Sequence, residues 1–520
     1  MNILFFVGSE RDIRVMKNLV NRYPIESLHI IIVDSIVDIY SKSELMELTK
    51  TMILYTDSLV GKYENYPYYD DAPPVDILIL NQMRKYEAEI LKQMDRLTHP
   101  REQRYPLEER FMIYFGNIRY WNYFLDAAKI DCFINIGVAP HEVYNYTIMR
   151  LCQLKKIPTL YAEYMPFRAT HRVAPFNDFE HFDYGIKKEM LQLATSNNIE
   201  LPEDMEKEFE VFSNANMAIA SPLTYGLKSE GTADEAPKPT ARIKPSRAGR
   251  MLIKLKEHIR RRDFKMSLKR RYIRETSGKE LKQFYDKVSV APDYSQKYIY
   301  FPLHYQPEMT TSPSAGDYVH QYLAVELLAK HLPKDVWIFV KIHPLTLTCW
   351  GSIGAEQIKR MHQISKVKFI TAAADTVILA KHSIAVASMT GTIGYEAMYL
   401  KKPYFMFGNQ IMKYGPWTYN IKTNEECRDA VQHVMSGNNT ESDECCRNKI
   451  RAYLAVLAKH SVILDIDLRG DWLNTNRNIE NLTTLYCTML DRELGRLQRN
   501  GENERLTIKC QPQKCRDAVD

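Results

Sequence analysis

The chain has 520 residues, 45% of them hydrophobic and 26% charged, an ordinary globular balance that excludes a collagenous, wholly disordered or disulfide-stapled protein. That length exceeds one hydrophobic core and predicts two or three domains. The net charge of +6 is uneven: residues 241–275 carry 14 Lys/Arg against Glu257, Asp263 and Glu275, leaving 56 basic and 61 acidic residues elsewhere. One segment therefore makes the whole chain basic.

No apolar run approaches the roughly 18 to 20 residues that span a bilayer. The opening MNILFFVGSERD has a six-residue apolar stretch followed at once by charge, which predicts a first β-strand rather than a signal peptide. The nine cysteines are scattered, with no CxxC pair and with Cys445 and Cys446 adjacent. This favours reduced thiols in a cytoplasm and speaks against a structural zinc site. The sequons at Asn145, Asn438 and Asn481 then carry no weight.

In chain order, short continuous apolar runs at Ile3–Val7, Leu28–Val33, Ile77–Leu80, Cys132–Ile136 and Thr159–Ala162 read as strands. Helical patterns lie between them at Arg11–Tyr23, Gln82–Leu97, Glu108–Ala128 and Glu142–Lys155, with a turn-rich loop at Tyr66–Val75. Such alternation predicts a parallel sheet covered on both faces. Residues 173–228 are less periodic, apart from a helix near Glu203–Phe212. Residues 229–248, rich in Pro, Ser, Ala and charge, read as a linker. Leu252, Leu255, Ile259, Met266 and Ile273 recur at roughly heptad spacing among the basic residues, predicting a basic amphipathic segment over 249–290.

A second α/β unit is predicted over 291–490. Its strands are Tyr298–Leu303, Val336–Ile342, Val367–Ile370, Ile384–Ala387 and Tyr404–Phe407. Its helices are Tyr318–His331, Ala355–Gln363, Ala374–Ala380, Thr392–Leu400, Glu425–Met435 and Arg447–Ala458. The first unit takes 1–172, and 491–520 reads as a polar, disordered tail.

Ligands of open α/β sheets bind beyond the carboxyl ends of the strands. Three polar clusters of the second unit fall there: His304 to Glu308 with Thr310-Thr311-Ser312, then His343-Pro344, then Ser388-Met389-Thr390-Gly391-Thr392. The hydroxyl-Gly turn at a helix start is a place for an anion, with Glu396 one turn on and within reach of a ribose hydroxyl. An ordinary N-cap with a packing glycine gives the same pattern. His343, fixed by Pro344, can donate to a phosphate or protonate a leaving group, although a lone histidine is more often structural. In the first unit Gly8, the stretch 137–142 and Glu163 follow strands, so His141, Glu142 and Glu163 are the candidate acid/base groups, with Glu142 equally placed to start a helix.

These stretches carry a resemblance. YIYFPLHYQPEMTTSP, DYVHQYLAVELLAKHLP, VWIFVKIHP and ASMTGTIGYEAMYLKKPYFMFG, with IDCFINIGVAPHEVYNYTIMRLCQLKKIPTLYAEYMPFR upstream, resemble the capsule polysaccharide biosynthesis family. That family includes the Kdo (3-deoxy-manno-octulosonate) transferases. The turn reads SMTGTIGYEA where a form like SGTAGWEA is expected, a local departure.

The resemblance implies a GT-B-like α/β fold, two Rossmann-like domains with a crevice between them. It implies a nucleotide-sugar site built from His343, Pro344, Ser388, Thr390, Gly391 and Thr392, with Glu396 at the acidic position of the next helix and no metal. The strand-end residues themselves add His304 and Glu308 to that site and Glu163, His141 or His343 as the catalytic groups. No cofactor is expected beyond the nucleotide-sugar donor as co-substrate, CMP-Kdo or a related sugar acid; the acceptor is a glycan or glycolipid. Two rivals stand beside this metal-independent glycosyltransferase: a sugar-nucleotide epimerase or hydrolase of the same fold, and a non-catalytic membrane-associated component of glycan assembly or export. The basic stretch 250–275 suits an anionic membrane surface at the inner face of the cell membrane; a helix packed on its own protein explains it too. Nucleic acid is not expected as a partner, because no recognition fold or aromatic platform accompanies the charge.

Overall fold

The structure, a computed structural model, describes residues 1–97, 105–136, 140–165, 167, 170–176, 186–196, 199–214, 264–347, 353–437, 441–466 and 472–499. The linker expected at 229–248, most of the basic stretch, residues 137–139 and the last 21 residues lie outside the described residues.

Thirteen strands form two sheets among the described residues. The first unit contains β1 (Asn2–Val7), β2 (Ser27–Ile32), β3 (Thr49–Leu54), β4 (Cys132–Asn135), β5 (Thr159–Tyr164) and β6 (Arg172–Phe176). The second contains β7 (Lys297–Pro302), β8 (Val336–Lys341), β9 (Val367–Phe369), β10 (Ala385–Ser388), β11 (Tyr404–Met406) and β12 (Thr418–Asn420). β13 (Val462–Ile463) returns to the first sheet. The orders are β13-β6-β5-β4-β1-β2-β3 and β12-β11-β10-β7-β8-β9. Pairing is parallel throughout except at β5–β6 and β6–β13. In the second sheet the order reverses at β7, the doubly wound Rossmann pattern, so its switch point lies between β7 and β10. The first sheet reverses in the same way between β1 and β4. This is the α/β, GT-B-like architecture implied above.

Three elements depart from the sequence reading. Ile77–Leu80 is not a strand: Asp76 accepts from Leu78 N at 2.8 Å and Ile79 N at 3.0 Å and caps a helix over Ile77–Met83. The edge place in that sheet belongs to β3, whose TKTMIL pattern buries only alternate residues and so lacks a continuous apolar run. The helical pattern over 82–97 is broken into Ile77–Met83 and Glu87–Gln93, separated and followed by single 3₁₀ turns.

The third departure concerns the end of the chain, expected in the second unit to 490 and disordered beyond. β13 pairs with β6, and the helix Asn476–Arg499 packs on the first sheet. Ile479, Leu482, Leu485, Tyr486, Met489 and Leu490 share an apolar cluster with Ile3, Phe5, Met16, Leu19 and Ile134. Tyr486 donates to the Asn135 carbonyl at 2.7 Å, and the Tyr23 hydroxyl donates to Asp491 at 2.8 Å. The helix is amphipathic, and its apolar stripe is buried against the first sheet.

The helix Phe264–Val288 seats its C-terminal half on the second sheet through Leu281 and Tyr285. Tyr285 donates to the Ile370 carbonyl and accepts from Ile342 N at 3.1 Å. No helix among the described residues is long and apolar enough to cross a membrane.

Candidate functional site

β7 and β10 flank the switch point, and a connected polar constellation lies at their C-terminal ends. His304, two residues past β7, is held from below by Gln321, which accepts from His304 N at 2.8 Å and donates to its carbonyl at 3.1 Å. Its ring then bridges two loops: Nε2 lies 2.7 Å from Ser388 Oγ at the end of β10, and Nδ1 lies 3.1 Å from Thr310 Oγ1. Thr310 donates onward to Glu308 Oε2 at 2.9 Å. With its hydrogen committed to that carboxylate, Thr310 accepts from Nδ1–H, so Nε2 is the acceptor and Ser388 the donor. Burial, with His343 nearby, pushes the His304 pKa down to about 3. The imidazole is therefore neutral and of one tautomer.

Gly391 permits this geometry. A Cβ there would stand 2.8 Å from Ser388 Oγ and 3.2 Å from His304 Cε1 and Nε2. Its N–H donates to Ser388 Oγ at 3.3 Å. This amends the expectation of open amides at the turn: the Gly391 amide is occupied by a side chain, and the helix that follows, Ile393–Tyr399, is a short one of 7 residues. Thr390 donates to the Thr310 carbonyl at 2.7 Å and so locks the post-β10 turn to the post-β7 loop. Thr392 is exposed; Glu396 is half-buried and faces the Tyr300 side.

His343 follows β8 and Pro344 opens a short helix. The His343 ring is 5.9 Å from Tyr305, and Nδ1 accepts from Leu345 N at 3.2 Å. That fixes the neutral ring with its proton on Nε2. Burial, then the Lys341 charge, holds its pKa below the usual histidine range. It is placed as a neutral hydrogen-bond donor rather than a strong general acid. Glu308 is shifted up by burial, opposed by the Thr310 bond and the Arg96 charge.

The first unit contributes less of what its sequence pointed to. Glu142 accepts from the Tyr55 hydroxyl and sits at the N-cap of Val143–Leu154, where its N–H donates to Asn145 Oδ1 at 2.9 Å, so it does start a helix. His141 is half-buried beside it. Glu163 lies on β5 on the same face as Tyr161, turned toward the core cluster that both units share. Its carboxyl is buried, Oε2 has no hydrogen-bond partner, and burial alone raises its pKa to about 8. Two residues beyond β5's last neighbour Met165, Phe167 packs 5.9 Å from Tyr395 in the second unit.

Sequence reasoning missed Arg96 and Lys341, and placed Thr310 in the first polar cluster without its bond to His304. Arg96 ends the turn Met94–Arg96 and donates to the His141 carbonyl at 2.7 Å and to the Ser312 carbonyl, tying His141 of the first unit to the post-β7 loop of the second. Lys341, the last residue of β8, donates to the Ala374 carbonyl at 2.7 Å and to Thr376 at 3.0 Å, and burial lowers its pKa. An amphipathic reading cannot find Arg96, because its role depends on the second unit. Lys341 was signalled by its position, a lysine closing an otherwise apolar strand. No group of three His, Cys, Asp or Glu side chains is placed to hold a metal ion among the described residues.

None of the curated proteins matches the chain. Among solved structures, the beta Kdo 2,7 transferase KpsC of Thermosulfurimonas dismutans is similar at 9% identity over 95% of this chain and 100% of its own, with a TM-score of 0.30. The beta Kdo 2,4 transferase KpsC structure from the same organism shows 13% identity over 68% of this chain and 87% of its own, TM-score 0.29. UDP-GlcNAc 2-epimerase from Neisseria meningitidis, bound to UDP-GlcNAc, shows 13% identity over 95% of this chain and 100% of its own, TM-score 0.23. At such scores no activity is read from these likenesses. The family model described as capsule polysaccharide biosynthesis protein matches residues 196–429, a span that holds every second-unit site residue and none of Arg96, His141 and Glu163. The resemblance carried by the strand-end motifs of the second unit is thereby sustained as one to the capsule polysaccharide biosynthesis proteins.

Proposed function

We propose that the chain is a metal-independent glycosyltransferase that uses a nucleotide-activated sugar, CMP-Kdo or a related sugar acid, to extend a capsular or surface glycan on a glycan or glycolipid acceptor. The observation that carries this reading is the His304–Ser388 bond across the β7/β10 switch point, where doubly wound sheets take nucleotides. His304, Ser388, Thr390 and Gly391 form the floor of the donor site, with Glu308, Pro344, Thr392 and Glu396 at its margins. His343 offers its Nε2–H to the departing phosphate, stabilising charge as it develops. Glu163, neutral at pH 7, serves as the acid/base group from the first unit, with His141 as the alternative. The enzyme works in the cytoplasm, at the inner membrane face if 250–275 binds anionic lipid.

The test is thermal stabilisation of the full chain across CMP, UDP, GDP and their common sugars, followed by transfer assays. A cytidine nucleotide at about 100 times its Kd is expected to add about 2.7 kcal/mol. His343→Ala should keep most of that binding and lose at least tenfold in turnover. Isomerised sugar or free nucleotide without acceptor would assign the epimerase or hydrolase reading instead. Silence across the panel, with lipid binding lost when the 250–275 basic residues are neutralised, would replace the enzyme by the assembly component.

A further inference from the structure

The Arg96 guanidinium stands where the two units meet and has no carboxylate of its own. It has five N–H donors in a rigid fork, and the His141 and Ser312 carbonyls take two of them. Glu142, Asp95 and Glu308 act on it only through space. Each is engaged elsewhere: Glu142 by Tyr55, Asp95 by Lys92 at 2.6 Å and Arg110 at 2.8 Å, Glu308 by Thr310. The guanidinium is half-buried and so partly desolvated, with three carboxylates near it and none bonded to it. Burial is strong enough here to pull the guanidinium pKa down to about 10. A half-buried guanidinium with three N–H donors left over, held between His141 of the first unit and Ser312 of the second, is fitted to take an anion that arrives with the ligand.

We propose that Arg96 is the anion-recognising residue of the first unit, its three remaining N–H donors taking a phosphate or a carboxylate of a ligand seated beside His141 and the loop after β7. The identity of that ligand rests on the function proposed above; the anion site itself does not. A guanidinium that only stapled two carbonyls would hold the units together and be indifferent to ligand charge.

The experiment compares the full-length protein with Arg96→Met and Arg96→Lys by calorimetry. One arm sets CMP against cytidine, the other 3-deoxy-manno-octulosonate against its methyl ester, and inorganic pyrophosphate is titrated alone. The preference of the wild type for the anionic member of one pair is expected to fall at least tenfold in Arg96→Met, the neutral member binding as before, with partial recovery in Arg96→Lys. Loss in the first arm assigns the phosphate; loss in the second assigns the carboxylate. An equal fall for neutral and anionic ligands, or no change, overturns the proposal in favour of a staple. If the wild type binds none of the nucleotide and sugar probes, the proposed glycosyltransferase fails and pyrophosphate decides. Binding by wild type that Arg96→Met loses sustains the anion site, and absent or unaltered binding overturns it.

Discussion

Glu163→Gln should flatten the fall in stability between pH 5 and pH 8 and abolish glycosyl transfer. The Glu163 carboxyl is buried with Oε2 unpartnered, and burial raises its pKa to about 8 from an ordinary 4.5. Between those values the folded chain keeps a proton that the unfolded chain has released. The folded state then binds more protons, so this group makes stability drop as pH rises through the window. The drop is complete above pH 8 and on the order of 5 kcal/mol, from about 1.36 kcal/mol per unit. Glutamine has no such proton, so the slope, rather than the absolute stability, is the readout. Urea midpoints of both proteins from pH 5 to pH 9 measure it. Parallel curves would mean that the carboxylate is solvated and unfit for proton transfer at neutral pH. Divergent curves with full transfer activity would leave the buried acid real but remove its catalytic role.

Gly391→Ala should lower nucleotide affinity more than tenfold while shifting Tm by only a few degrees. The added methyl would stand 2.8 Å from Ser388 Oγ and 3.2 Å from the His304 ring, so one of the two must move and their 2.7 Å bond must break. No positive φ is involved, so the effect is steric and local. The crowding costs about 1–3 kcal/mol. If the loss runs through His304, then His304→Ala and Gly391→Ala combined should bind no worse than the weaker single variant. Additive losses would show that Gly391 meets the ligand directly. Gly394 is the contrasting neighbour: a Cβ there would lie 2.3 Å from the Tyr404 ring, within the buried core. Its replacement by alanine should impair folding rather than binding.

The parallel strands were legible because both of their faces are buried, which leaves continuous apolar runs such as FFV in β1 and IFV in β8. Edge strands carry weaker signals. β3 buries alternate residues and β12 has three half-buried ones, so neither stands out from its surroundings. The run ILIL after Asp76 misled for the opposite reason: its Ile77 and Leu78 are exposed, and the aspartate cap rather than burial fixes their conformation. In the site, His304 and Ser388 were legible because strand ends converge by topology. Arg96 was not, since it lies in a turn that contacts the second unit only after both have folded.

The return of the last helix onto the first sheet sets an order on synthesis. The first sheet's strands β1 to β5 are complete once residue 164 has emerged, yet the face they present to Leu482, Tyr486 and Met489 stays bare until some 325 further residues are made. At 5–20 residues per second that interval is roughly 16 to 65 seconds. The unit that leaves the ribosome first is thus finished last, and its apolar face needs the protection of a chaperone, or of the second unit, throughout the wait.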